Sequence, residues 1–305
     1  MIGAPRSVRE RAPAKLNLGL RVVGRRPDGY HELDSLFAHL DLADELEASL
    51  VLDGAPSGAV DRLERRAVGD SWLDGRPLEL GPENLVARAF AAVRTALAGG
   101  LPPVHAVLGK RVPWGAGLGG GSADAAAALR AAARWAPVPF DPAPLAEALG
   151  SDVPFCLTRT PVARVGGRGE RVEPLALPER TVVLVHPGVP VAAADAYRWW
   201  AAEPVDVAPM DEAIDAWRRG GASPPTNALE PGVAARVPEV AAALAELRAQ
   251  TTGPVAMSGS GSTCFAIVGD RAEGIAVAAA VAERRPGWWV RVAVAAAADP
   301  GSADA

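Results

Sequence analysis

Residues 111–135, RVPWGAGLGGGSADAAAALRAAARW, constrain the fold more than any other stretch of this 305-residue chain. Five of the seven residues from Gly115 to Gly121 are glycine, and an alanine-rich helix is predicted to follow at once. Because glycine has no Cβ, successive backbone N–H groups can approach an anion, and left-handed conformations cost little. The N-terminus of the next helix, opened by Ser122, also favours a negative charge. The stretch therefore predicts a phosphate-binding loop.

Two common phosphate-binding motifs fit this loop poorly. A P-loop requires a lysine directly after its last glycine, and no lysine follows here. Gly115, Gly117 and Gly120 do satisfy the G-x-G-x-x-G spacing of dinucleotide-binding proteins. That motif follows a buried strand directly, however, and residues 111–114 intervene. No strand ends in an acidic residue about twenty positions later either. A dinucleotide-dependent oxidoreductase is therefore disfavoured.

Composition indicates an ordinary globular protein. Hydrophobic residues make up 49% of the chain, and no apolar run approaches the roughly 18 uncharged residues of a membrane span. The N-terminus lacks the apolar segment of a secretory signal. The net charge of −5, with acids and bases well mixed, argues against nucleic acid as a partner. Cys156 and Cys264 are too few for a disulfide framework. We expect a cytoplasmic, soluble protein, monomer or homodimer, with a small-molecule partner and no membrane partner.

The order of predicted elements indicates an α+β fold with two domains. Residues 14–23 alternate as a strand does, residues 83–98 form an amphipathic helix pattern, and residues 160–175 read as a hairpin. From about residue 180 the pattern changes to a buried strand followed by helices. A chain of 305 residues is about twice the length of a typical domain. We place the boundary near residue 170, giving domains of residues 1–170 and 171–305.

Two positions are unusual because they hold lysine in a chain that otherwise uses arginine. Lys15 and Lys110 are the only lysines among 31 lysines and arginines, which suggests sites that need a compact ammonium group. Lys15 and Asn17 lie on the polar face of the predicted strand, opposite Leu16. Lys110 directly precedes the glycine loop, where a nucleotide contact and a solvated strand end are equally good interpretations.

Four motifs carry a resemblance to a known family. PWGAGLGGGSADAAA at residues 113–127 resembles the phosphate-binding motif of the GHMP kinases. PAKLNLGLRVVGRRPDGYHEL at residues 13–33 is similar to the N-terminal motif of those members that act on a cytidine-diphosphate-linked methylerythritol. LGSDVPF at residues 149–155 and AMSGSGSTCFA at residues 256–266 resemble later motifs of the same members. Because the four occur in the same order over nearly the whole chain, it is identified as a member of the GHMP kinases.

The resemblance implies a fold and an activity. The fold is the two-domain GHMP kinase fold, with the active site in the cleft between the domains. The activity is ATP-dependent phosphorylation of the 2-hydroxyl of 4-diphosphocytidyl-2-C-methyl-D-erythritol in the non-mevalonate isoprenoid pathway, with ATP and Mg²⁺ as cofactors. One alternative is another small-molecule kinase of the homoserine or mevalonate type, which leaves residues 27–31 unexplained. Another is a non-catalytic nucleotide-binding protein, which we expect to lack Lys15 or Asp152.

The resemblance also assigns the catalytic and ATP-binding residues. Asp152 accepts the hydroxyl proton, and Lys15 pairs with Asp152 and offsets developing charge. Taken without the resemblance, a helix N-cap is the better interpretation of Asp152, and an exposed strand residue is the better interpretation of Lys15. Ser122 is a candidate Mg²⁺ ligand, and the other metal ligands are left open. The implied ATP-binding residues are Pro113, Trp114, Gly115, Ala116, Gly117, Leu118, Gly119, Gly120, Gly121, Ser122 and Ala123.

The implied substrate-binding residues come from three segments. Tyr30 stacks on the cytosine and His31 hydrogen-bonds its edge, while Tyr197 is either the opposite aromatic wall or a helix core residue. A second glycine turn, formed by Gly259, Ser260, Gly261 and Ser262, closes over the substrate, and a simple hairpin turn is the alternative interpretation. The full set is Asn17, Tyr30, His31, Asp152, Gly259 and Ser260.

Three positions depart from the family pattern. Ala116 stands where many relatives have glycine, Trp114 is bulky beside the loop, and Ala228 stands where an aspartate is usual. A methyl group at position 116 is tolerable if the backbone there is not left-handed.

Overall fold

The computed structural model describes residues 6–27, 29–51, 61–219 and 227–296. Ten strands and ten helices are formed within these ranges, so the α+β prediction agrees with the structure. The strands are β1 Ser7–Arg25, β2 His31–Leu50, β3 Arg62–Arg66, β4 Val104–Gly109, β5 Val162–Gly167, β6 Arg171–Pro174, β7 Arg180–His186, β8 Val255–Met257, β9 Cys264–Val268 and β10 Trp289–Ala295. The helices are α1 Ser71–Asp74, α2 Leu85–Ala96, α3 Gly120–Ala133, α4 Ala143–Leu149, α5 Val153–Thr158, α6 Ala193–Ala202, α7 Met210–Arg218, α8 Glu230–Ala234, α9 Pro238–Gln250 and α10 Arg271–Arg284.

The strands β1 and β2 form a long antiparallel hairpin that carries much of the site. Its register pairs Lys15 with His39 and Asn17 with Phe37, and it shifts between Pro13 and Lys15 and again after Asn17. Such irregularities turn side chains relative to a regular ladder. Strand β1 is also buried on both sides here, since α3 packs against it and Leu16 joins a second apolar cluster. The simple polar face predicted for residues 14–23 is therefore a buried face.

The strands pair in the order β3, β4, β2, β10, β7, β9, β8. In addition, β1 and β5 each pair with β2, and β6 pairs with β5. The β2–β10 connection consists of one residue pair, Ala295 with Leu40, whereas β10 pairs with β7 along its whole length. The early and late strands thus meet at a narrow junction. The domain boundary near residue 170 falls in the turn between β5 and β6 and stays a prediction.

Some predicted elements differ in the structure. The sequence pattern of residues 54–74 predicts a surface excursion, yet residues 61–74 contain β3, which pairs in parallel with β4, and α1. The sequence of β3, RLERR, is too charged to show the apolar alternation of a strand. The sequence also predicts a helix with Asp141 as its N-cap and Pro142 as its first residue. In the structure this helix, α4, begins one residue later, and Asp141 still accepts a hydrogen bond from the Ala143 backbone N–H. The remainder of the excursion lies outside the described residues.

The glycine loop joins β4 to α3, and α3 packs on the sheet through its alanines. Ala123 and residues 125–128 are fully buried, because a methyl side chain lets the helix approach the strands closely. The helix begins at Gly120, after a left-handed Gly119, so Ser122 is its third residue. None of the described helices is both long and apolar enough to cross a membrane.

Candidate active site

A cavity of about 710 Å³ collects residues from segments that are far apart in the sequence. It is lined by residues of the β1–β2 hairpin, the glycine loop, the start of α5, helix α6 and the second glycine turn. The predicted residues that line it are Lys15, Asn17, Tyr30, His31, Gly117, Ser122, Asp152, Tyr197, Gly259 and Ser260.

The ammonium of Lys15 and the carboxylate of Asp152 form an ion pair in this cavity. Lys15 Nζ lies 3.2 Å from Asp152 Oδ2, with side-chain exposures of 4% and 30%. Asp152 occupies the N-cap position of α5, yet its side chain makes no capping hydrogen bond. The carboxylate instead faces the ammonium, which also lies 4.6 Å from the centre of the Phe37 ring. The structure thus brings the predicted catalytic pair together.

Asn17 orients Lys15 from one pleat along β1. Its side-chain oxygen accepts a hydrogen bond from Lys15 Nζ, while its Nδ2 donates to Ser35 Oγ at 3.2 Å. Its backbone N–H donates to Ser258 Oγ at 3.1 Å, which ties β1 to the second glycine turn. All four side chains are almost fully buried, so this network holds the ammonium in one position.

The glycine loop needs bare backbone at two points of close contact. A Cβ at Gly117 would stand 2.3 Å from the carbonyl oxygen of Ser258, and φ there is +78°. A Cβ at Gly119 would stand 2.6 Å from Lys15 Cγ, with φ at +63°. Side chains at these positions would therefore push the loop away from the second glycine turn and from the catalytic lysine.

The predicted ATP-binding stretch reaches the cavity at two residues, Gly117 and Ser122. Two other residues of this stretch connect the loop to the rest of the site through backbone hydrogen bonds. The Leu118 carbonyl accepts from the Lys15 N–H at 2.9 Å, and the Ala116 carbonyl accepts from the Thr263 N–H at 3.0 Å. The remaining residues of the stretch do not line the cavity, and their contact with ATP stays a prediction.

The three departures from the family pattern are accommodated locally. Ala116 is not among the residues with positive φ, so its methyl group meets the condition stated above. Trp114 packs on the second apolar cluster, with the Arg65 guanidinium 5.4 Å from its ring centre. Ala228 is buried and has no polar side-chain atom. The neighbouring residue Asn227 makes the polar contacts instead, because its Nδ2 donates to the Met257 and Gly259 carbonyls at 2.8 Å.

Aromatic groups line the other end of the cavity. The rings of His31 and Tyr197 stack at 4.8 Å with an interplanar angle of 11°, and Trp200 meets His31 edge-on. Tyr30 is 53% exposed, with the Arg168 guanidinium 5.0 Å from its ring centre. Tyr197 therefore faces the cavity and His31. Burial, and then the nearby charge of Arg25, lower the pKa of His31, so at neutral pH its ring offers one donor and one acceptor.

The prediction for Lys110 is wrong in both of its forms. Lys110 is 1% exposed and lies between the carboxylates of Asp44 and Asp124, so it is neither solvated nor in the cavity. Five further residues of the site were not predicted from the sequence: Ser258, Asn227, Ser35, Phe37 and Arg168. Ser258 had the clearest signal, because it opens the second glycine turn.

The described residues contain no cluster of three or more histidine, cysteine, aspartate or glutamate side chains that could hold a metal ion. Ser122 remains a candidate ligand, because it lies in the cavity wall.

Comparison with known proteins identifies the family. The model of the GHMP kinase N-terminal domain matches residues 84–159, and the model of the GHMP kinase C-terminal domain matches residues 210–286. A 4-diphosphocytidyl-2-C-methyl-D-erythritol kinase from Deinococcus radiodurans is 42% identical over 299 residues, which cover 92% of this chain and 91% of that protein. This chain belongs to the 4-diphosphocytidyl-2-C-methyl-D-erythritol kinase family. The resemblance found in the four motifs is thereby confirmed.

Solved structures agree with membership of this family. A crystal structure of a 4-(cytidine 5'-diphospho)-2C-methyl-D-erythritol kinase aligns with a TM-score of 0.75 and 36% identity, covering 94% of this chain and 99% of that one. A homoserine kinase from Cytophaga hutchinsonii aligns with a TM-score of 0.65 at 17% identity, covering 96% of both chains. Because its identity is only 17%, the match to the homoserine kinase shows that the fold is shared and nothing more. The GHMP kinase fold predicted from the sequence is confirmed.

Proposed function

We propose that this chain transfers the γ-phosphoryl group of ATP to the 2-hydroxyl of 4-diphosphocytidyl-2-C-methyl-D-erythritol. Family membership supports the kinase activity and the substrate. The observation that carries the proposal for this site is the Lys15–Asp152 ion pair, at 3.2 Å, in the cavity that also holds Gly117, Ser122 and the aromatic residues. A phosphate-binding loop, a proton acceptor and a base-binding wall are the three parts that this reaction needs.

Asp152 and Lys15 act on the acceptor hydroxyl. The Asp152 carboxylate takes the hydroxyl proton as the oxygen attacks the γ-phosphorus, and the bond to the β-phosphate oxygen breaks to release ADP. Lys15 offsets the negative charge that develops on the transferring group. Asn17 keeps the ammonium between the two, since its side-chain oxygen already accepts one of the three Lys15 N–H bonds.

The glycine loop and the N-terminus of α3 bind the phosphates of ATP. Their backbone N–H groups and the helix dipole favour anions without any dedicated cation in the loop. Mg²⁺ would bind in this site together with ATP. The Ser122 hydroxyl would be its protein ligand, and phosphate oxygens and water would supply its other ligands. When bound, it neutralises phosphate charge.

The aromatic end of the cavity binds the cytidine. Tyr30 offers an exposed face for stacking, and neutral His31 offers a donor and an acceptor for the edge of the base. Arg168 lies in the same wall and provides a cation near the substrate's diphosphate. Gly259 and Ser260 also line the cavity.

A substrate panel tests the proposed function. ADP release is followed in a coupled assay with the cytidyl methylerythritol substrate, mevalonate, homoserine and galactose, each with ATP and Mg²⁺. We expect turnover with the cytidyl substrate alone, and the Asp152→Asn variant serves as the control for contaminating activity. Turnover with homoserine or mevalonate, and not with the cytidyl substrate, would contradict the proposal. ATP binding without any turnover would favour a non-catalytic nucleotide-binding protein.

Replacing Tyr30 with alanine is expected to raise the KM for the cytidyl substrate about 10- to 100-fold, because base–aromatic stacking contributes roughly 1–3 kcal/mol. The KM for ATP is expected to stay within about twofold, since Tyr30 does not belong to the loop. Steady-state kinetics with each substrate varied in turn measure both values. Tyr30→Phe is the matched control and keeps most of the affinity. A change confined to the KM for ATP would refute the assignment of Tyr30 to cytosine.

Three further points stay predictions. They are the cytoplasmic location, the monomeric or homodimeric state and the absence of a nucleic-acid partner.

A further inference from the structure

A buried ionic cluster lies beside the glycine loop and outside the cavity. It consists of Lys110 at the end of β4, Asp44 on β2 and Asp124 on α3, which are 1%, 0% and 4% exposed. Lys110 Nζ donates to Asp124 Oδ2 at 2.7 Å and also to Asp44 Oδ2. The cluster thus joins three elements through one ammonium group.

The cluster holds both ends of the loop. Asp44 Oδ1 accepts hydrogen bonds from the backbone N–H groups of Arg111 and of Val112, the latter at 2.8 Å. These residues begin the loop, whereas Asp124 lies in the first turns of the helix that ends it. Because Lys110 binds both carboxylates, the distance between the start of the loop and the start of α3 is set by this ammonium group.

We propose that Lys110 is a positioning residue for nucleotide binding, which, through Asp44 and Asp124, fixes the spacing of the two ends of the phosphate-binding loop. The inference rests on the proposed function, since it assumes that the loop binds the phosphates of ATP. Backbone N–H groups bind phosphate well only at about 2.7–3.2 Å, so a small change in this spacing misplaces several donors together. Lys110 touches neither substrate and acts only through the loop.

The cluster also explains the second lysine of an arginine-rich chain. A site enclosed at 1% exposure between two carboxylates holds a compact ammonium, whereas a planar guanidinium would displace Asp44 from the loop backbone.

The test uses Asp124, because Lys110→Met leaves two carboxylates buried without a cation and is expected to fold poorly. Asp124→Ala removes the connection to α3 and keeps the Lys110–Asp44 pair. We expect the Kd for ATP with Mg²⁺, measured by calorimetry, to rise at least about 10-fold, which corresponds to about 1.4 kcal/mol. Asp124→Asn keeps a side-chain oxygen that accepts from Lys110 and so keeps the connection to α3, and it is expected to stay within about threefold of the original Kd. Binding of cytidine diphosphate is expected to be unchanged in both variants.

A matched control separates positioning from stability. Arg130 lies in the last turn of the same helix and forms a buried ion pair with Glu10 at 3.0 Å. Arg130→Met is expected to lower the melting temperature and leave the Kd for ATP unchanged. If Asp124→Ala behaved in the same way as this control, the positioning role would be wrong. Equal loss of ATP and cytidine diphosphate binding would also overturn it.

Hydrogen exchange provides a readout that does not depend on the proposed function. In the protein without nucleotide, backbone amides of residues 112–121 are expected to exchange faster in Asp124→Ala than in Asp124→Asn or Arg130→Met. If the original protein bound no ATP, the proposed function would fail, and exchange alone would decide whether the cluster holds the loop. Unchanged exchange in Asp124→Ala would overturn the inference.

Discussion

Asp152→Asn is expected to lower kcat by about 10²–10⁴ while ATP still binds, because the amide cannot accept the hydroxyl proton. The amide keeps the shape of the carboxylate and can still accept a hydrogen bond from Lys15 at the 3.2 Å contact. The geometry of the cavity is thus preserved, and the loss reports proton transfer. Single-turnover kinetics with saturating ATP and cytidyl substrate measure the effect on the chemical step.

The control for Asp152→Asn is the binding of each substrate to the variant. ATP and the cytidyl substrate are expected to protect it against thermal unfolding as they protect the original protein. Near-normal turnover in Asp152→Asn would refute the assignment of Asp152 as the proton acceptor. Asp152→Glu keeps the acid but moves it by one methylene group, so an intermediate loss is expected.

Lys15→Met is expected to lower kcat by about 10²–10³, the range seen when one preorganised group that stabilises transition-state charge is removed. The methionine retains the apolar stem beside Phe37, so the change removes mainly the ammonium. Asp152 loses its cation but is 30% exposed, and solvent limits the cost to folding. Steady-state kcat together with the melting temperature separates the catalytic effect from the stability effect.

Lys15→Arg is the matched control, since it keeps the charge. Gly119 and Asn17 lie so close to the Lys15 side chain that a guanidinium is expected to recover little activity. The double variant Lys15→Met with Asp152→Asn is expected to lose about as much as the worse single variant, because the two side chains act as a unit. If the two losses multiplied, the pair would not be acting together on one hydroxyl.

Local motifs were sufficient to predict the chemistry of the site. The glycines of residues 115–121 can be recognised without tertiary information, since glycine is needed for the backbone itself and not for its partners. The same holds for the turn before Tyr30 and the second glycine turn at Gly259. The order of these motifs then indicated the GHMP kinase fold, which the comparisons confirm.

The contacts of single polar residues were not predictable in the same way. Lys15 lies on β1 and Lys110 directly follows β4, both close to a motif, and no local pattern separates them. Lys110 is buried because Asp44 and Asp124 meet it from two other elements, whereas Lys15 reaches a cavity. Burial of an ammonium depends on which carboxylates the fold brings near, since an unpaired buried charge is very costly.

The sequence alone predicted a phosphate-binding loop and the catalytic residues and identified the family, because each motif consists of residues close together in the chain. Only the tertiary structure decided that Lys15 meets Asp152, that Tyr197 stacks on His31 and that Lys110 lies between Asp44 and Asp124. These contacts join segments far apart in the sequence. Their distances follow from the pairing of β1 with β2 and the packing of α3 on the sheet, which no local pattern of residues specifies.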